Sequence, residues 1–200
     1  LSNEVQTCRA TVRTNDYFSS TDVGRHIRFN FAGQRVWGTI SAIDAGSGLY
    51  ADVNLDSALP LNFHDPTQLF SDGVPDSWKL GSWSETTGYP ACVTFHEQRL
   101  CFARTRTETQ AVWMSRTNDY TNFSPTEKDG SVVDDNAIYY TIVSRRVNEI
   151  LWLESGPVLL IGTSGGEWQV KAASNIAAPL SPSNITVTPQ STRGTIDNEL

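Results

Sequence analysis

Ser164 is the residue of this sequence whose neighbours most invite a chemical reading. It sits in Gly162-Thr163-Ser164-Gly165-Gly166, which fits the G-x-S-x-G pattern of a nucleophile elbow, a sharp strand-to-helix turn that exposes the serine hydroxyl. Residues 158–161 supply the strand. An elbow also needs a helix directly after the serine, then an acid and a histidine. Residues 167–171 alternate like a strand instead, and His26, His64 and His96 all precede Ser164. The order histidine, acid, serine is available as His96, Asp119 or Asp135, and Ser164. A triad of that order is spread over two barrels, however, and the chain between His96 and Ser164 is too short for them. The favoured reading is a glycine hairpin, with Gly165-Gly166 supplying the positive φ of a tight turn.

Other constellations are weaker. No G-x-x-x-x-G-K-[ST] loop is present, and Glu167 after the glycine turn would repel phosphate. Asp129, Asp134 and Asp135 with Asn136 offer the hard oxygen ligands that calcium takes, but not in the D-x-D-x-D-G spacing, so a solvated loop is expected. Glu97, Glu108 and Glu167 read as turn or edge residues rather than as a glycosidase carboxylate pair. Each histidine is alone in sequence, which argues against a metal site. Cys8, Cys92 and Cys101 are odd in number and lack C-x-x-C spacing, so neither zinc nor a disulfide framework is indicated, and a reducing compartment of assembly is expected. The stretch 115–123, SRTNDYTNF, is similar to the Asp-box turn of sialidase propellers, which folds a hairpin and is not catalytic. No catalytic, cofactor or metal residue is therefore expected.

The elements that would hold such residues are strands. Thr, Val, Ile and aromatic residues are spread among Gly and Pro in a chain of 200 residues with 18% charged side chains, the texture of a folded all-β protein. The net charge of −7 argues against a general nucleic-acid binder. No apolar run approaches a membrane span, and no signal sequence is seen. Leu1 stands where an initiator Met would, which suggests a piece cut from something longer. Residues 1–80 read as a small β domain, a barrel or a sandwich-like fold. A cap-like Ser19-Ser20-Thr21-Asp22 is followed by strands around Ile27 to Phe31, at 36–43 and at 49–55. Pro60, Asp65-Pro66 and Asp72-Gly73 mark a loop-rich stretch.

Residues 81–200 change to short strands at regular spacing. Val93 and Phe95 pair with Phe102 and Leu100 across a turn at 96–99, putting four apolar side chains on one sheet face. Residues 112–115 continue the sheet, and 120–123 are expected as its fourth strand. The segments RLCFARTRTETQAVWMS and VLLIGTSGGEWQVKA share a layout of apolar strand, turn and Trp-bearing strand, with Trp113 and Trp168 in matching places. Such repetition is what short four-stranded blades of a β-propeller produce, here about two of them and incomplete. Ile161 and Trp168 are expected to pack between blades.

The run WSETTGYP at 83–90 followed by VTFHEQRLCFA at 93–103 resembles a motif of the tail nozzle proteins of short-tailed bacteriophages, the tail tubular protein B family. VWMS at 112–115, DYTNF at 119–123, DNAI at 135–138, VNEI at 147–150 and LIGTSGGEW at 160–168 match in the same order, and DVGR at 22–25 and Trp37-Gly38 resemble the preceding small domain. Arg104 departs from the pattern, which has Gly there. The chain is also much shorter than such proteins, and PSNITV at 182–187 is similar to the start of a further blade.

That resemblance implies a virion tail component assembled in the host bacterial cytoplasm. It would be a homo-oligomeric, hexameric ring of propeller subunits below the head-to-tail adaptor, docking fibres or spikes and passing double-stranded DNA without gripping it. The family has no catalytic residues to transfer. The competing expectation is a receptor- or glycan-binding propeller adhesin of a tail fibre, whose exposed aromatic and acidic residues would line a sugar site.

Overall fold

The computed structural model describes residues 7–11, 18–31, 33–44, 46, 48–56, 75, 77–144, 148–175 and 177–195. The loop-rich stretch with Pro60, His64 and Asp65-Pro66 lies outside these. The described residues form strands with one short 3-10 turn, arranged as three antiparallel sheets. The fold is all-β. The chain divides into two compact units, one of residues 1–86 with 128–130, the other of residues 87–127 with 131–200.

The first unit holds one five-stranded sheet. Its strands are β1 (Thr7–Thr11), β2 (His26–Phe31), β3 (Gln34–Ile43), β4 (Tyr50–Leu55) and β5 (Ser77–Leu80), in the order β1-β4-β3-β2-β5. Among the described residues the sheet is open, so of the barrel or sandwich-like fold expected for this domain the closed barrel is not formed. Period-2 alternation builds it. Ile27, Phe29, Phe31, Val36, Ile40, Ala51, Val53 and Leu55 are buried on one face with Phe18, and Trp78 and Leu80 pack against them. Trp78 thus belongs to this core. The Ser19 cap forms as expected: its side chain accepts from Thr21 N, and Asp22 accepts from Ser19 N at 3.0 Å, a reciprocal capping box.

The second unit holds two four-stranded meanders. The first comprises β6 (Cys92–His96), β7 (Arg99–Ala103), β8 (Ala111–Met114) and β9 (Ile138–Thr141), and the second β10 (Ile150–Ser155), β11 (Leu159–Thr163), β12 (Gly166–Lys171) and β13 (Thr186–Pro189). Both sheets contribute to one core. Cys101, Met114 and Ile138 lie in register across the first sheet, and Ile150, Leu159, Ile161 and Val170 come from the second. The edge strands β6 and β10 run side by side, with the Cys92 thiol 3.3 Å from the Leu151 carbonyl.

Two strand expectations are corrected. The fourth strand of the first sheet is β9, while 120–123 turns back on itself after the Arg116–Asp119 bridge. The segment at 182–187 begins no further blade, since Thr186 and Val187 enter β13 and close the second sheet against β12.

Candidate functional site

The serine of the G-x-S-x-G motif is a hairpin residue. Thr163 and Gly166 pair as the last rung of β11 and β12, and Ser164 and Gly165 form the two-residue turn. A strand follows Ser164 where an elbow has a helix. Its backbone N–H donates to the Glu149 carbonyl at 2.9 Å. The glycines serve a different purpose from the expected one, because neither Gly165 nor Gly166 has a positive φ. They make room instead: a Cβ on Gly165 would overlap the Asn148 side chain, and one on Gly166 would lie 2.6 Å from the Ser191 carbonyl oxygen. Ile161 and Trp168 are paired on the face turned to the shared core, with Ile161 buried.

His96 meets a different serine. Its Nδ1 lies 2.9 Å from Ser155 Oγ, joining the ends of β6 and β10. His96 is 4% exposed, and Nε2 is buried without a hydrogen-bond partner, with Glu97 Oε1 at 3.8 Å. Burial pushes the imidazole below its ordinary range, and Glu97 opposes that shift. Glu97 is itself engaged, its Oε2 accepting from Leu180 N at 2.7 Å. Asp119 lies in the 116–119 turn, and neither it nor Asp135 hydrogen-bonds to His96 in the described residues. The residues of the formal triad are therefore not brought together. His26 stands on the outer side of β2.

The turn after His96 is tighter than the four residues expected. His96 and Arg99 pair as strand residues, leaving Glu97 and Gln98 as a two-residue turn with φ of 46° and 62°. Both are positive, as a type I′ hairpin requires. Arg104, which stands where the resemblance has Gly, also takes a left-handed φ of 57°. The backbone there keeps a glycine-like conformation, and the side chain reaches Glu149 at 2.7 Å.

Arg99 is the residue that sequence reasoning missed. It is 1% exposed, and its guanidinium donates to the carbonyls of Ser115 (2.8 Å), Asn136 (2.7 Å), Asp134 (2.8 Å) and Leu180 (3.2 Å). The acidic loop considered for calcium is thus organised around an internal cation. Asn136 is buried, accepting from Val133 N and donating to Glu127, while Asp134 accepts from Ser183. Among the described residues no cluster of His, Cys, Asp and Glu has the grouping of a metal site. The three cysteines are free thiols, and burial raises Cys8 to about 11 and Cys101 to about 12.

The second unit also carries exposed apolar side chains on one sheet face. The hairpin pairing of Val93 with Phe102 and Phe95 with Leu100 forms in the expected register. That face is the outer one: Val93 is 61% and Phe95 59% exposed, whereas Cys92, His96, Arg99 and Cys101 are buried behind it. Cross-strand pairing extends it into a row, Val93, Phe102, Trp113 and Tyr139, one residue from each strand. Phe123 stacks on Phe102 at 5.5 Å and Tyr120 meets Phe95 edge to face at 5.2 Å. Tyr139 is 53% exposed. The outer face of the second sheet differs in kind, with Glu154, Gln169 and Lys171 at its strand positions and Trp152 laid over Gly162.

No family model and no curated protein matches this chain.

Proposed function

We propose that this chain is a structural subunit of a short-tailed phage tail. It would be part of a nozzle-type β-propeller that closes into a homo-oligomeric, hexameric ring below the adaptor, carries fibres or spikes and conducts the genome. It acts by being covered, and no residue of it serves as a catalyst. The observation that carries this reading is the uncharged aromatic row Val93, Phe102, Trp113 and Tyr139 on the outer face of the first sheet. Val93 and Tyr139 stand exposed at the two ends of that row with Phe95 beside Val93, while Trp113 is buried between them, and exposed apolar side chains grouped on one sheet face mark a surface that packs against another structure. The layout of the two meanders supports a propeller. Each is a four-stranded sheet in strict up-and-down order, their first strands β6 and β10 lie together, and their faces share a core, as neighbouring blades do. The ordered motifs from 83 to 168 point to the nozzle family among propellers.

Imaging of assembled tails carrying a tag on this chain tests the reading. A closed ring of this chain around the DNA axis is expected. Density at a fibre tip, away from the axis, would replace the nozzle with the adhesin. An isolated soluble monomer in infected cells, absent from particles, would remove both.

A further inference from the structure

The outer face of the first unit's sheet carries a different pattern. Register places Lys79, Arg28 and Trp37 directly opposite one another across β5, β2 and β3, and Ser77, Asn30 and Arg35 in the next row on the same side. Ile27, Phe29 and Val36, which alternate with them, are buried on the other face. Arg28 thus stands directly across from Trp37, Arg35 lies two residues along the same strand as Trp37, and Lys79 is one strand beyond Arg28. Like charges directly opposite on a sheet destabilise the pairing, so the Arg28–Lys79 pair works against the fold that holds it. Arg28 is half-buried; burial lowers its guanidinium below the ordinary range first, and Arg35 adds to that, with no carboxylate acting against them. Arg9, Arg25, Arg104 and Arg116 each face a carboxylate, whereas among the described residues neither Arg28 nor Lys79 has an ion pair. Asn30, between the two arginines in this grid, has its Oδ1 buried without a partner. Acidic groups stand at the margins: Asp56, whose N–H donates to the Trp37 carbonyl, and Asp129, in the 128–130 segment that meets Arg35 through the Lys128 carbonyl.

We propose that this face is a contact surface for single-stranded nucleic acid, with Arg28, Arg35 and Lys79 on successive phosphates and Trp37 beneath an unpaired base. The cations are spread over a grid instead of converging on one point, which suits a chain of phosphates better than a single anion. An aromatic face among them suits a nucleobase, which a duplex would hide and a sulfated sugar lacks. A local rule broken without a compensating contact is characteristic of a functional surface. The acidity of the whole chain favours weak, reversible contact and is compatible with this local reversal of sign. This contact goes beyond the ring proposed above and does not depend on it.

Fluorescence anisotropy of a labelled twelve-nucleotide oligothymidylate with the full chain tests it. Three phosphate contacts on a single strand give a log–log salt slope of about −2, so affinity should fall roughly seventyfold between about 20 and 150 mM salt. Lys79→Gln, at an exposed site, and Arg28→Gln should each flatten that slope by about 0.7. Trp37→Leu should weaken the single strand roughly tenfold with the slope kept. Equal binding of a duplex, displacement by inorganic phosphate at millimolar concentration, or an unchanged slope in Lys79→Gln would each overturn the proposal. Ring formation is read separately by imaging, so failure here leaves that reading standing, and the reverse holds too.

Discussion

Arg99 and His96 face each other across the first rung of the β6–β7 hairpin, both turned inward. They do opposite work. Arg99 brings a permanent charge to carbonyls from three separate segments; removing its donors leaves several buried acceptors unmet, each costing about 1–3 kcal/mol. Arg99→Met should therefore lose at least about 3 kcal/mol in denaturant unfolding, and Arg99→Lys should recover only part, because a single ammonium cannot reach all four carbonyls. A loss under about 1 kcal/mol in Arg99→Met would show that the loop does not depend on it. His96 is held neutral by burial, with its folded pKa below the unfolded value near 6.5. Its contribution is accordingly complete above that value and is lost as pH falls from there through the folded pKa, since the unfolded chain binds the proton more readily. The stability difference between pH 7.5 and 5.5 should shrink in His96→Gln; an equal difference would assign the pH dependence to other groups. Neither role could be read from sequence, where a charged residue beside a predicted turn looks solvated. The partners of Arg99 lie at 115, 134, 136 and 180, distances over which local pattern says nothing. The Ser164 hairpin was legible, because strand alternation on both sides of the motif excludes the elbow.

Turns and close approaches decide how these strands meet. Gln98 has a φ of 62° with no glycine to relieve it, and a left-handed conformation costs an L-residue about 1–2 kcal/mol. Gln98→Gly should stabilise the second unit by roughly 1 kcal/mol in thermal or denaturant unfolding, while Glu97 is kept for its bond to Leu180 N. A neutral or destabilising result would mean that the Gln98 side chain contributes more than its backbone costs. Gly162 illustrates the opposite need. A Cβ there would run into the indole of Trp152, so Gly162→Ala should cost about 1–3 kcal/mol through overpacking. Trp152→Ala in the same chain should remove most of that cost. If the two losses simply add, the indole is not what excludes the methyl. The β6–β7 hairpin could be placed from alternation alone, down to register, and β11–β12 as two strands joined by a glycine turn. The strands β1, β5 and β9 could not, since each pairs with a strand reached only through a long connection or lies at a sheet edge. Alternation also left open which face turns inward. Val93 and Phe95 turn outward, and the opposite face carries Cys101, Met114 and Ile138 against the second sheet.

The two units present unlike surfaces from one chain of net charge −7, and the average conceals both. The uncharged aromatic row of the second unit and the basic grid of the first came from cross-strand register, which joins residues that composition counts separately. For the aromatic row the consequence can be measured. Val93 and Phe95 are more than half exposed, so replacing them removes little packing from the chain itself. Exposed substitutions of this kind usually change stability by less than about 0.5 kcal/mol. Burying the same side chains against a neighbour, at about 25 cal/mol per Å² of apolar area, would supply association energy that two carboxylates abolish. The pair Val93→Asp and Phe95→Asp should therefore leave the unfolding midpoint of the isolated chain near that of the parent. If the chain is the ring-forming tail subunit proposed above, the pair should also eliminate incorporation into tail rings and any concentration-dependent sedimentation. Loss of the fold would make the row part of the core after all. Normal incorporation of the folded variant would show that assembly proceeds through some other face.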